Sequence, residues 1–186
     1  MIDTRVASRY AKSLLELAID KEVVDAVHRD MVSFSELCQS NREFLLMLKN
    51  PIINHEKKRK ILYSIFEGKV DPSTLAIFDI ITRKNRENYL PAIAAEFDHQ
   101  YKAYRGISEA VVITPFPLTD NLRQRFEQMV LEKTGKKEVA LEEKVDESLI
   151  GGYILKIGDQ QIDDSIKSKL IALAYEFDDD SYVKTF

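Results

Sequence analysis

Residues 149–173 read Leu149-Ile-Gly-Gly-Tyr-Ile-Leu-Lys-Ile-Gly-Asp-Gln-Gln-Ile-Asp-Asp-Ser-Ile-Lys-Ser-Lys-Leu-Ile-Ala-Leu173. Gly151 and Gly152 supply backbone freedom that no side-chain residue offers, which predicts a sharp entry into a strand. Tyr153, Ile154, Leu155 and Ile157 form a β-rich run, closed by the turn pair Gly158-Asp159. Asp163 or Asp164 can accept a backbone hydrogen bond as a helix N-cap, and acid there complements the helix dipole. From Ile166 onward, Leu170, Leu173 and Phe177 fall on one narrow side of a helix. The stretch therefore encodes a glycine-led strand, a turn and an amphipathic helix.

The spaced set Leu149-Ile150-Gly151-Gly152, Gly158-Asp159, Ile162-Asp163, Ser165 and Leu170 resembles the C-terminal signature of the δ subunit family of bacterial F-type ATP synthases. The oligomycin-sensitivity-conferring protein of mitochondria is that family's relative. Many members have glycine between the aspartate and the serine, where this chain has Asp164. Aspartate tolerates left-handed backbone better than most residues.

Upstream of this signature the hydrophobic period changes at Gly106. Ile107 to Thr114 reads as a strand broken by Pro115-Phe116-Pro117. Leu122, Phe126, Met129 and Val130 make a helical stripe that stops at Gly135, and Glu138 to Val145 is a second strand. Before Gly106 only helices are expected. The first follows Asp3-Thr4 and runs to about Asp20, and the second covers roughly Glu22 to Gln39. A short third follows Asn41 and stops before Pro51. Asn54 caps a fourth that ends at Gly68, and Asp71-Pro72 opens a fifth. The sixth runs from about Tyr89 to Arg105 and ends at Gly106. Short connections imply an antiparallel bundle. The expected architecture is α+β and multidomain: a six-helix bundle over 1–106, a small α/β domain over 107–177, and a solvated acidic tail over 178–186.

Two of the helices carry more apolar surface than a single core-facing stripe requires. In the first, Val6, Ala7, Tyr10, Ala11, Leu14, Leu15, Leu17 and Ala18 cover about half the circumference. In the fifth, Leu75, Ala76, Ile77, Phe78, Ile80 and Ile81 point nearly all round. One reading places both helices centrally in the bundle. The other opens part of both as a groove for a partner helix, with Ala7, Ala11 and Ala18 letting a second backbone approach. The resemblance favours the groove. In the family it resembles, helices one and five of the bundle grip the N-terminal helix of an α subunit. The matching positions here are Val6, Tyr10, Ala11 and Leu14 on the first helix, with Leu75, Phe78 and Ile81 on the fifth. Relatives often show Tyr-Ala-x-Ala-Leu, and Ser13 replaces the second alanine here.

No catalytic constellation is legible. His28, His55 and His99 lie on separate elements with no second ligand at metal spacing, so neither metal nor cofactor is expected. Cys38, the single cysteine, has no base partner and reads as a small buried residue. Thr134-Gly135-Lys136-Lys137 lacks the upstream glycine and the trailing hydroxyl of a phosphate loop. The Gly151, Gly152 and Gly158 set lacks dinucleotide spacing. The basic run Lys57-Lys58-Arg59-Lys60 spreads around its helix instead of forming a stripe, which predicts solvated surface and no nucleic-acid contact.

Composition agrees. Apolar residues make up 45% and charged residues 31% of the 186, enough for a core. Basic residues number 17 against 15 acidic before residue 107, and 10 against 16 after it, so the acidic half repels polyanions. No apolar run approaches the roughly 18 residues of a membrane span, and the N-terminus lacks a signal-peptide core. A soluble, cytoplasmic protein is expected, held at any membrane through another protein.

The reading that results is a non-catalytic stator subunit of the peripheral stalk, without small-molecule substrate. The resemblance implies that the bundle binds the α-subunit N-terminus and that the C-terminal domain binds the C-terminal region of the b subunit. It places the chain on the cytoplasmic face of the bacterial inner membrane. A helical RNA-binding module is the alternative, and it requires a one-sided basic stripe.

Overall fold

Three short polar side chains start three of the helices. Asn41 accepts a hydrogen bond from the Phe44 amide (3.0 Å), Asn54 from Glu56 (3.2 Å) and Asp71 from Ser73 (2.7 Å). The helices they open are α3 (Arg42–Lys49), α4 (His55–Phe66) and α5 (Pro72–Arg83), the last with proline in its first turn. Before them lie α1 (Thr4–Asp20) and α2 (Val24–Ser40). After them a 3-10 turn (Glu87–Tyr89) leads into α6 (Leu90–Arg105). The structure, a computed structural model, describes residues 4–179. The chain divides into two compact units between Tyr104 and Arg105.

The first unit is all helical. Phe34 on α2 sits at its centre, with ring centroids 5.0 Å from Phe78, 5.7 Å from Phe66 and 5.9 Å from Phe44. These four rings tie α2, α3, α4 and α5 together, and all four are buried. Met31, Leu48, Leu62, Ile81, Leu90, Ile93 and Phe97 complete the same cluster. At one edge His28 stacks on Tyr101 (3.7 Å between ring centroids) and shares a 2.8 Å hydrogen bond with Asp98, joining α2 to α6. Burial would raise the Asp98 carboxyl, but hydrogen bonds from Lys102 and His28 outweigh it and hold the group below the usual range.

The basic run of α4 departs from expectation at one position. Lys58 is not solvated: it is 2% exposed, and its ammonium donates to the Leu48 carbonyl (3.0 Å) and to Glu87 (2.5 Å). The Leu48 carbonyl belongs to the last turn of α3, which has no partner within its own helix. Lys58 therefore closes that helix end and pins it to the 3-10 turn. The second oxygen of Glu87 is buried without a partner. Cys38 is buried as expected, and burial pushes its thiol up to about 11, partly offset by Lys49.

The second unit contains β1 (Ile107–Thr114), α7 (Asp120–Thr134), β2 (Glu138–Val145), a 3-10 turn (Glu147–Leu149), β3 (Ile154–Ile157), β4 (Gln160–Asp163) and α8 (Ile166–Asp179). The sheet order is β2-β1-β3-β4. β1 runs parallel to β2 through the α7 crossover, with Ile107 opposite Glu138, and antiparallel to β3, with Ala110 opposite Ile157. Alternate residues of β1, Ser108, Ala110, Val112 and Thr114, turn inward. Ala110 and Val112 join Phe126 and Val130 of α7 and Leu155 of β3 in one cluster, with Phe126 edge-on to Tyr153 at 4.9 Å.

β4 was not expected. Gln160-Gln161-Ile162-Asp163 has only one apolar residue, so its sequence carries no strand period. It becomes a strand because the two-residue turn at Gly158-Asp159 folds it back on β3, with Ile157 opposite Gln160. The tail assigned to 178–186 lies, beyond Asp179, outside the described residues.

Candidate functional site

Two hydrogen bonds fix how α1 lies on α5. Arg86, just after α5, donates to the Tyr10 hydroxyl (3.2 Å), and Lys21, just after α1, donates to Ser73 at the start of α5 (3.4 Å). The two helices therefore run antiparallel. Residues that face their neighbours are buried: Ala11, Leu14, Phe78 and Ile81 are each 1% exposed or less. In the chain by itself they belong to the bundle core, in the cluster that also holds Met31, Phe34 and Leu62. Val6, Tyr10 and Leu75 are half-buried, with Tyr10 and Leu75 packed against the core.

The open apolar surface belongs to other members of the two apolar sets. Leu17 on α1 is 38% exposed and Ile80 on α5 is 45% exposed. Both stand in the apolar sets of the sequence, but neither was singled out. No signal in the helical period separates them from the buried members of those sets. On α1, Val6, Tyr10, Ser13 and Leu17 fall within one strip of about 60° at 100° per residue. Beside Ile80, the carboxylate of Asp79 is held between Arg59 (2.5 Å) and Arg83 (2.8 Å).

The signature of the second unit forms one corner. The Gly151 carbonyl accepts from the Ile166 amide (3.0 Å), and the Tyr153 carbonyl from Asp164 (3.0 Å). The N-cap of α8 is Ser165, not Asp163 or Asp164. Its hydroxyl accepts from the Ser168 amide (3.2 Å), and it is buried. Asp163 acts one step earlier. It accepts from the Ser165 amide (2.9 Å) and the Ser168 hydroxyl (2.7 Å), and these hold its carboxyl below the usual range. Asp164 is not among the positive-φ residues, so its place between Asp163 and Ser165 requires no left-handed backbone. Its carboxylate pairs with Lys169 (2.5 Å).

Leu149 is buried, whereas Ile150 and Leu170 are exposed, so these last two do not hold the corner together. Gly158 and Asp159 form the β3–β4 turn. Among the described residues, no three His, Cys, Asp or Glu side chains gather as a metal site would require, and no helix is long and apolar enough to cross a membrane.

Residues 6–177 match the family model described as the ATP synthase delta (OSCP) subunit. This chain belongs to that family. It is 40% identical over 177 residues to the ATP synthase subunit delta of Cytophaga hutchinsonii, covering 95% of this chain and 96% of the relative. It is 41% identical over 173 residues to that of Amoebophilus asiaticus, covering 93% and 94%. The fold also matches a chain in the cryo-EM structure of the Toxoplasma gondii mitochondrial ATP synthase hexamer. That match has a TM-score of 0.74 at 21% identity, over 92% of this chain and 96% of the other. As a delta-family chain it is a non-catalytic structural subunit of F-type ATP synthase, belonging to the peripheral stalk. Nothing supports the RNA-binding alternative, and Lys58, turned inward to Glu87, leaves the basic run without a continuous surface.

Proposed function

We propose that this delta-family chain is the joint at which the peripheral stalk grips the catalytic head. Its bundle takes the N-terminal helix of an α subunit along the strip between α1 and α5, and its second unit takes the C-terminal region of the b subunit. The chain then works at the cytoplasmic face of the bacterial inner membrane, held there only through the complex.

The mechanics follow from rotary catalysis. Torque from the turning shaft is felt by the head, which would rotate with it unless a membrane-anchored strut held it still. Such a joint needs broad apolar contact and slow dissociation, and no reacting groups. The observation that carries this reading is the exposed apolar pair Leu17 and Ile80 on two antiparallel helices that also bury a full core. Helix in groove is the recognition mode such a surface fits.

Titration calorimetry of the full chain with a synthetic peptide of the α-subunit N-terminus tests it. Micromolar or tighter binding, weakened at least about tenfold by Leu17→Asp or Ile80→Asp with unfolding temperature retained, supports the groove. A folded chain that does not bind the peptide rules it out.

A further inference from the structure

Three helices of the first unit enclose a trough of about 570 Å³ on its surface. Leu45 of α3, Pro91 and Ala95 of α6 and the Cys38 thiol of α2 form its apolar part. Burial keeps that thiol protonated at neutral pH, so it acts as a small apolar group. Arg42 and Lys49 lie three residues before Leu45 and four after it, which puts all three on one strip of α3. Ser35 and Gln39 of α2 complete the lining.

The two cations are not used within the chain. Both are exposed, and neither side chain has an ion-pair or hydrogen-bond partner among the described residues. Arg42 stands in the first turn of α3, where the helix dipole disfavours a cation. Among the described residues no carboxylate lines the trough. Glu36, Glu43 and Glu96 are sequence neighbours of lining residues without belonging to the lining, and Glu96 accepts from Gln100 (2.9 Å). An apolar hollow beside two unpaired cations is complementary to an uncharged body that carries an anionic head. Size selects a small molecule over a protein. The volume lies within the range of small-ligand pockets, roughly 300–1,000 Å³. Only eight described residues line the trough, whereas a stable protein contact takes roughly 20–30 per partner.

We propose that the trough between α2, α3 and α6 binds a small anionic amphiphile. Its apolar body lies against Leu45, Pro91 and Ala95, and its head is held by Arg42 and Lys49. Arg42 supplies a planar fork that matches a carboxylate, and Lys49 supplies a point charge. Both side chains are long enough for their heads to meet one anion above Leu45 while their stems cover apolar surface. The site shares no residue with the strip between α1 and α5, and it does not rest on the stalk reading.

The test is titration of the isotope-labelled full chain with octanoate below its micelle concentration, followed by amide shifts. Millimolar or tighter binding is expected, with the shifts centred on Cys38, Leu45 and Ala95. The double variant Arg42→Gln, Lys49→Gln should weaken octanoate about tenfold and leave the weaker binding of octanol unchanged. Ala95→Trp, at an exposed position, should block both probes with unfolding temperature retained. Octanoate that shifts no trough amide, or that binds the double variant as well as wild type, overturns the site. Equal binding of octanoate, octanol and octylammonium shows apolar adsorption only, and overturns the anionic assignment. Trough amides that respond to the α-subunit peptide or the b-subunit segment and not to octanoate make this face a protein contact, which overturns the inference as well.

Discussion

A β-carbon on Gly152 would lie 2.2 Å from the carbonyl oxygen of Asp164. Gly152 also has φ of +77°, so two independent constraints exclude a side chain there. The chain passes between the glycine pair and the start of α8 at backbone-to-backbone distance, and this crossing holds the last helix to the sheet.

Gly152→Ala is therefore expected to destabilise the second unit by about 3 kcal/mol or more, because backbone must move. Gly151→Ala meets only the tip of the Ile166 side chain, which can rotate away, and about 1 kcal/mol is expected. Thermal unfolding of both variants, with hydrogen exchange of the β3 amides, separates the two.

Lys58→Met leaves Glu87 buried without its cation and the Leu48 carbonyl without a donor, and a loss of about 3–5 kcal/mol is expected. Adding Glu87→Leu removes the stranded charge and recovers part of that loss. Recovery is incomplete, since the end of α3 stays open at about 1–3 kcal/mol. Denaturant titration of the single and double variants measures the difference.

Asp163 gives the second unit a defined response to acid. Its native carboxyl is held low by the Ser165 amide and the Ser168 hydroxyl, so the unfolded chain takes up the proton first. Its contribution is complete above the ordinary carboxylate range and is lost as pH falls below about 4. Wild type should unfold at a higher temperature than Asp163→Ala from pH 8 to 5, with the gap closing below that range.

On the bundle, Leu17→Asp and Ile80→Asp should cost far less stability than a core change, because both side chains are already partly exposed, at 38% and 45%. Phe78→Asp should unfold the first unit, since Phe78 is 1% exposed and lies against Phe34 and Phe66. Circular dichroism melts of the three variants distinguish an outer strip from the core.

Most of the elements could be read from local pattern. Asn41, Asn54 and Asp71 announced their helices, and the apolar period changed from helical to alternating at Gly106. β4 could not be read, because Gln160–Asp163 gains strand structure from pairing with β3 and not from its own side chains. The N-cap of α8 was displaced by one or two residues for a related reason. Asp163, Asp164 and Ser165 are all competent caps, and the crossing at Gly152 decides which one stands at the helix start.

The candidate sites divide in the same way. Sequence identified α1 and α5 as over-supplied with apolar residues, and it identified the glycine-pair corner. It could not rank residues within those sets. Ala11, Leu14, Phe78 and Ile81 look as available on a helical wheel as Leu17 and Ile80 do. Only the packing of α1 and α5 against each other and against α2 and α4 buries the first group and leaves the second partly exposed.

What the sequence by itself determined was the order of elements, the change of architecture at Gly106 and the family, all properties of local spacing along the chain. The tertiary structure alone decided which apolar residues remain free to meet a partner, that Lys58 is buried against Glu87, and that Ile150 has a positive φ and is exposed. Each of those depends on contacts between residues far apart in the chain, or on backbone angles fixed by such contacts, and neither quantity is written in the local pattern.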